Sequence, residues 1–291
     1  MKITKKIKTI ISISIILINF LMLNTVFAEA VAKNPVSNET VSSESESNST
    51  PVKQSVSESK LPLKTGYEVM KEVRDQSRKY ETRIGKVKIS IKDKKNRERE
   101  RYFRLYKKFF DNDEDRSLIK FFRPANVKGM ALLSKSIDVT TRQWLYMPAF
   151  KSTKLLSSQD QNKSFMGSDF TYSDIAGRQL DQDSHKLIKE TDKYYFVESL
   201  PNDSSEFYSK MRYVISKAKK SVLKVIFYDN KERKLKTLSN KQFKQYKDIY
   251  IAVDSYMDNH QTKGATRLLI EEISVGKHIA NELVGQKGLK Q

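Results

Sequence analysis

From Lys86 almost to the C-terminus, apolar and polar residues alternate with a period of two, and this alternation constrains the fold more than any other feature of the chain. Val87, Ile89 and Ile91 alternate with Lys86, Lys88 and Ser90, and Asp93-Lys94-Lys95-Asn96 then supplies a turn. Successive side chains on a strand point to opposite faces, so this period specifies strands with one apolar face. Phe103, Leu105 and Phe109 fall on one face of the next strand, with Tyr102, Arg104 and Tyr106 on the other. The same reading gives strands at Ser117–Phe122, Met130–Lys135, Arg142–Met147 and Lys154–Ser157. It continues at Tyr194–Leu200, Met211–Lys217, Ser221–Tyr228, Arg233–Leu238, Asp248–Met257 and Thr266–Val275. No helical crossover separates them, so the topology is an antiparallel meander. About a dozen strands must curl, splitting into two sheets or closing around a space.

One helix precedes the strands. Thr65 followed by Glu68 has the capping-box spacing, and Tyr67, Met70, Val73, Ser77 and Tyr80 recur at helical intervals as a stripe that faces a sheet. The stretch from Pro148 to Asp181 breaks the alternation. Its length without regular structure marks it as a lid or binding loop, with room for a short helix from Tyr172-Ser173-Asp174.

The N-terminus is different material. Lys2, Lys5, Lys6 and Lys8, an apolar run from Ile10 to Leu23, and Ala28-Glu29-Ala30 describe a cleaved signal peptide over residues 1–30. Residues 31–62 are rich in Ser and Glu and too polar to offset their chain entropy, so a disordered tether is expected there. Residues 63–291 form a single folded domain in this reading. The chain has no Cys, hence no lipid-modified N-terminal Cys and no disulfide staples. The formal charge is +20. In an exported protein such a charge favours transient contact with an anionic membrane surface over nucleic acid.

Catalytic constellations are missing. His185, His260 and His278 lie in separate elements without zinc-site spacing, and no G-x-S-x-G turn or glycine-rich phosphate loop occurs. Ser168 beside Asp169 has no base placed to activate it. The chain is therefore read as a non-enzyme that needs no cofactor or metal.

The aromatic residues carry more. Trp144, Tyr146, Phe150, Phe165, Met166, Phe170 and Tyr172 crowd together, and Trp144 is the chain's one tryptophan. Both faces of Trp144–Met147 are apolar or aromatic, so this strand is buried on both sides or faces a cavity. An apolar pocket under a loop lid suits an acyl chain. The expected lining is Trp144, Leu145, Tyr146, Met147, Phe165, Met166, Phe170 and Tyr172, with Phe165–Tyr172 as the gate.

These same residues carry a family resemblance. Phe121–Pro124, Lys128-Gly129, Gln143–Pro148 and Ser164–Asp174 resemble the phrases of the LolA-like outer membrane lipoprotein-sorting proteins, from about Gly66 to near the C-terminus. The resemblance implies a half-open antiparallel β-barrel with a helical lid over an apolar cavity. It also implies a periplasmic carrier of lipids or acylated proteins, working with a transporter of the RND type. The chain departs from the family at Lys151–Leu156, where an Arg-rich stretch is usual, and at Ser173, where an acidic residue is usual. A non-catalytic envelope adaptor is the alternative, and an envelope hydrolase a weaker one.

Overall fold

The structure, a computed structural model, describes residues 64–204 and 206–290. The expected signal peptide and the whole of the expected tether lie outside the described residues.

The alternating segments become thirteen strands. They are β1 (Thr82–Lys92), β2 (Glu98–Phe109), β3 (Asp115–Arg123), β4 (Ala131–Ile137), β5 (Thr140–Met147) and β6 (Ser152–Leu155), followed by β7 (Asp183–Glu190) and β8 (Tyr194–Pro201). The last five are β9 (Lys210–Ser216), β10 (Ser221–Tyr228), β11 (Lys234–Tyr246), β12 (Ile249–Asn259) and β13 (Ala265–Val275). All belong to one sheet of order β6-β5-β4-β3-β2-β1-β13-β12-β11-β10-β9-β8-β7. Strands adjacent in sequence pair antiparallel, except β6 and β7, and the long-range pairing β1–β13 joins the two halves. The sheet is not closed into a barrel, because β6 and β7 remain edges. The predicted antiparallel, curled, mainly β architecture is the one observed.

β7 does not appear among the strands read from the sequence. Its segment, DSHKLIKE, is an edge whose outer half is exposed, so no apolar face was selected there. β11 also continues past Leu238 to Tyr246, where Lys241, Gln242 and Lys244 interrupt the pattern and the pairing with β12 shifts register.

Helix α1 (Gly66–Arg78) opens the described chain. Glu68 N donates to Thr65 Oγ1 at 3.2 Å and Thr65 N to Glu68 Oε2 at 2.7 Å, completing the predicted capping box. The buried stripe is rotated from the one expected. Val69, Met70 and Val73 pack on Leu187, Val197, Ile215 and Val222, while Tyr67 is exposed and bonds Asp181. A Cβ at Gly66 would come within 2.6 Å of the β7 backbone, so the helix crosses that strand at glycine contact.

The face of the sheet under α1, here the inner face, holds the main core of Val87, Ile89, Phe103, Phe121, Leu132 and Met257, among others. The outer face is covered in part by the C-terminal segment. Ile279, Val284 and Leu289 bury themselves on Leu118, Ala131 and Leu133. This segment is pinned by Thr82 Oγ1 donating to the Lys277 carbonyl at 2.6 Å and Lys108 Nζ donating to the Ile279 carbonyl at 3.1 Å.

Candidate functional site

The segment between β6 and β7 folds over the inner face as the predicted lid. It contains two short helices, α2 (Ser158–Gln161) and α3 (Tyr172–Ala176), joined by a 3-10 turn at Phe165–Gly167. Phe165 is fully buried and meets Phe103, Phe121 and Tyr172 edge-on or tilted, at ring separations of 6.3, 5.8 and 5.5 Å. Gln143 reaches up from β5, its Nε2 donating to Ser134 Oγ at 3.0 Å and to the Tyr172 carbonyl at 2.9 Å.

The Ser168–Asp174 phrase attaches the lid to the far half of the sheet. Asp169 N donates to Thr266 Oγ1 at 3.0 Å, and that hydroxyl donates to Asp169 Oδ2 at 2.7 Å. Burial raises the Asp169 carboxyl above its usual range, against the opposing bond from Thr266. Gly264 leaves room for it, since a Cβ there would lie 2.6 Å from Asp169 Oδ1. Asp174 caps α3 through Thr171 N at 2.7 Å, accepts from Tyr208 at 2.8 Å and pairs with Lys236 at 2.5 Å. Lys236, on β11, is 2% exposed and also donates to the Asp169 carbonyl at 3.1 Å. Ser168 Oγ bonds only within its own turn, to Phe170, and is placed for structure. His185 lies between Ser199 Oγ and the Leu180 carbonyl, and His260 beside Thr237.

Between α1, the lid and the sheet lies a cavity of about 310 Å³. Its apolar wall includes Met70, Val73, Phe109, Phe170, Phe227 and Met257. A neighbouring space of about 290 Å³, lined by Leu105, Val222, Ile251 and Ile270, meets the first at Val73, Ser77 and Lys107. A third, more open cleft of about 690 Å³ shares Phe170 as a wall. The first two volumes lie at the lower end of the range typical of small-ligand sites, and the third lies well within it.

The eight residues expected to line the pocket do not stay together. Leu145, Met147, Phe165, Met166, Phe170 and Tyr172 join the inner core, and Phe170 alone walls the 310 Å³ cavity. Trp144 and Tyr146 point to the outer face and pack against the C-terminal segment. Phe150 is 75% exposed. Sequence reading missed the charged wall. Arg83 on β1 and Lys107 on β2 are direct cross-strand partners, and Arg78 closes α1 beside them. The three cations lie 5.5, 5.1 and 5.2 Å from the Phe109 ring centre, respectively.

An open antiparallel sheet whose inner face is roofed by one helix and one latched lid, with partly open apolar space between, is the LolA-like fold. A family model described as that of an uncharacterized protein matches residues 113–291, more than half of the chain. A domain provisionally named an outer membrane lipoprotein-sorting protein, from Vibrio parahaemolyticus, is 29% identical, with a TM-score of 0.74 over 78% of this chain and 98% of its own. A DUF1329 family protein from Desulfovibrio piger shares the fold at 23% identity and TM-score 0.72, covering 77% of this chain and 97% of its own. A LolA superfamily protein from Nitrosomonas europaea does so at 17% identity and TM-score 0.63, covering 78% and 100%. No curated protein matches. The chain belongs to the family of that model and shares its fold with the LolA superfamily protein.

Proposed function

We propose that the protein is a periplasmic carrier that takes a lipid or protein-linked acyl chain into the space between α1 and the lid and hands it across the envelope. The observation that carries this reading is the 310 Å³ cavity walled by Met70, Val73, Phe109, Phe170, Phe227 and Met257. Each methylene moved from water into such a site contributes about 0.8 kcal/mol, so binding needs no chemistry and no cofactor. The 29% identity to the lipoprotein-sorting domain supports the same reading. Among the described residues no helix is long and apolar enough to cross a membrane, and delivery at a membrane is assigned to an envelope transporter, with one of the RND type as the expected partner.

The test is native mass spectrometry of the mature chain isolated from its own cell envelope without detergent. A discrete added mass that fragments to a lipid is expected. A protein that stays free of lipid, even after incubation with total envelope lipid, but co-purifies with a membrane protein would make it an adaptor.

A further inference from the structure

We infer that the carried molecule is an anionic amphiphile, whose carboxylate or phosphate head is held between Arg83 and Lys107 while its chain fills the apolar cavity. The inference builds on the carrier reading and names the cargo's chemistry. It starts from register. Arg83 and Lys107 stand directly opposite each other on neighbouring strands and on the same, inner face. Like charges in that relation repel, and nothing in the sheet's own architecture requires them. Arg78 adds a third cation from above.

The negative charge available to them is small. Asp115 pairs with Arg78 and lies 3.9 Å from Lys107. Asp113 reaches Arg78 at 3.7 Å but is engaged by Arg74. Arg83 donates to the neutral Ser77 carbonyl, and its Nε is buried with no hydrogen-bond partner among the described residues. Burial and the two arginines together push the Lys107 ammonium down to about 8. Elsewhere around the same cavity, charges meet their opposites. Arg178 binds Asp183 at 2.6 Å and Glu206 at 3.2 Å, and Asp174 binds Lys236. His185 has neutral partners on both ring nitrogens.

The surplus lies where the two spaces meet, since Lys107 walls both the 310 Å³ and the 290 Å³ cavity. An anionic oxygen there would accept from Arg83 and Lys107 as charge-assisted bonds, and so relieve their repulsion. The adjoining apolar walls would take a single chain.

Titration of the delipidated protein with tetradecanoate, tetradecanol and inorganic phosphate tests this directly. The acid should bind at least tenfold tighter than the alcohol at pH 7, and phosphate alone should bind weakly. In the Arg83→Gln/Lys107→Gln variant the ratio of acid to alcohol affinity should collapse to about one. Lys107→Met alone should lose part of the ratio. Equal binding of acid and alcohol to the native protein would overturn the head site and leave the carrier intact. Phosphate binding as tightly as the acid would replace the amphiphile by a free anion. Failure of both acid and alcohol to bind would remove the carrier reading, and this inference with it.

Discussion

At the scale of single residues, Lys107 couples the charge of the cavity to pH. Its folded-state value of about 8 lies below the ordinary lysine value of 10.5, with burial the larger cause and Arg83 and Arg78 the others. Asp115 is the carboxylate that faces it. Below pH 8 both folded and unfolded chains hold the proton, and the cost of the buried charge is fully felt. Between about 8 and 10.5 the unfolded chain holds more protons than the folded one, so this residue's contribution makes stability rise with pH. Urea midpoints measured from pH 7 to 10.5 should therefore rise more steeply in the native protein than in Lys107→Met. Parallel curves would show that the ammonium is solvated. None of this was legible in the sequence. Arg83 and Lys107 are far apart along the chain, and only the β1–β2 register makes them neighbours. The alternation on β5, in contrast, was legible. Period two correctly separated Gln143, Leu145 and Met147 from Trp144 and Tyr146, and both sets are at least half-buried. What it could not supply was the identity of the outer cover, because Ile279, Val284 and Leu289 lie in a segment with neither helical nor strand period.

Among elements, two of the lid's attachments differ in character. Gln143 ties it to β5 by neutral hydrogen bonds, while Asp174 ties it to β11 through a buried ion pair. Removing one partner of a buried pair leaves an uncompensated charge, which costs on the order of 3–5 kcal/mol, whereas removing both charges costs far less. Lys236→Met should therefore destabilise the protein strongly and speed amide exchange at Phe170 and Ser173 through Ala176. Adding Asp174→Asn to that variant should recover stability, since the Asn oxygen can still accept from Thr171 N while its amide NH2 donates to the Tyr208 hydroxyl in place of the second carboxylate oxygen. A double variant less stable than Lys236→Met would show that Asp174 acts chiefly as a cap and not as half of a charge pair. A short helix from Tyr172 was legible, but the Thr171–Asp174 capping box that starts α3 was not read. The partner on β11 was invisible, being 62 residues away. The edge strand β7 was also unread, for the reason that makes it a good edge: Lys186, Lys189 and Glu190 leave no apolar face to detect.

For the whole molecule, the question is which part moves when cargo enters. The sheet is one continuous ladder from β6 to β7, and opening it anywhere would break a full row of backbone hydrogen bonds. Helix α1 is packed through Val69, Met70 and Val73 and crosses β7 at glycine contact. The lid is the cheaper element to displace, since on the β11–β13 side it depends on the Lys236–Asp174 pair and on the Asp169–Thr266 contact. The absence of cysteine allows that step to be stopped selectively. A Cys pair at Asp169 and Thr266, whose native side chains touch, would be the only thiols in the chain, so oxidation can join only the lid to β13. If the lid is the gate, oxidised protein should exchange bound tetradecanoate at least tenfold more slowly than reduced protein, with equilibrium affinity little changed, and reductant should restore the rate. Stopped-flow displacement of a fluorescent fatty acid reads both. Unchanged exchange in the oxidised protein would place the entrance on the other side of the cavity, between α1 and β12, where Tyr250 and Phe243 line the smaller space.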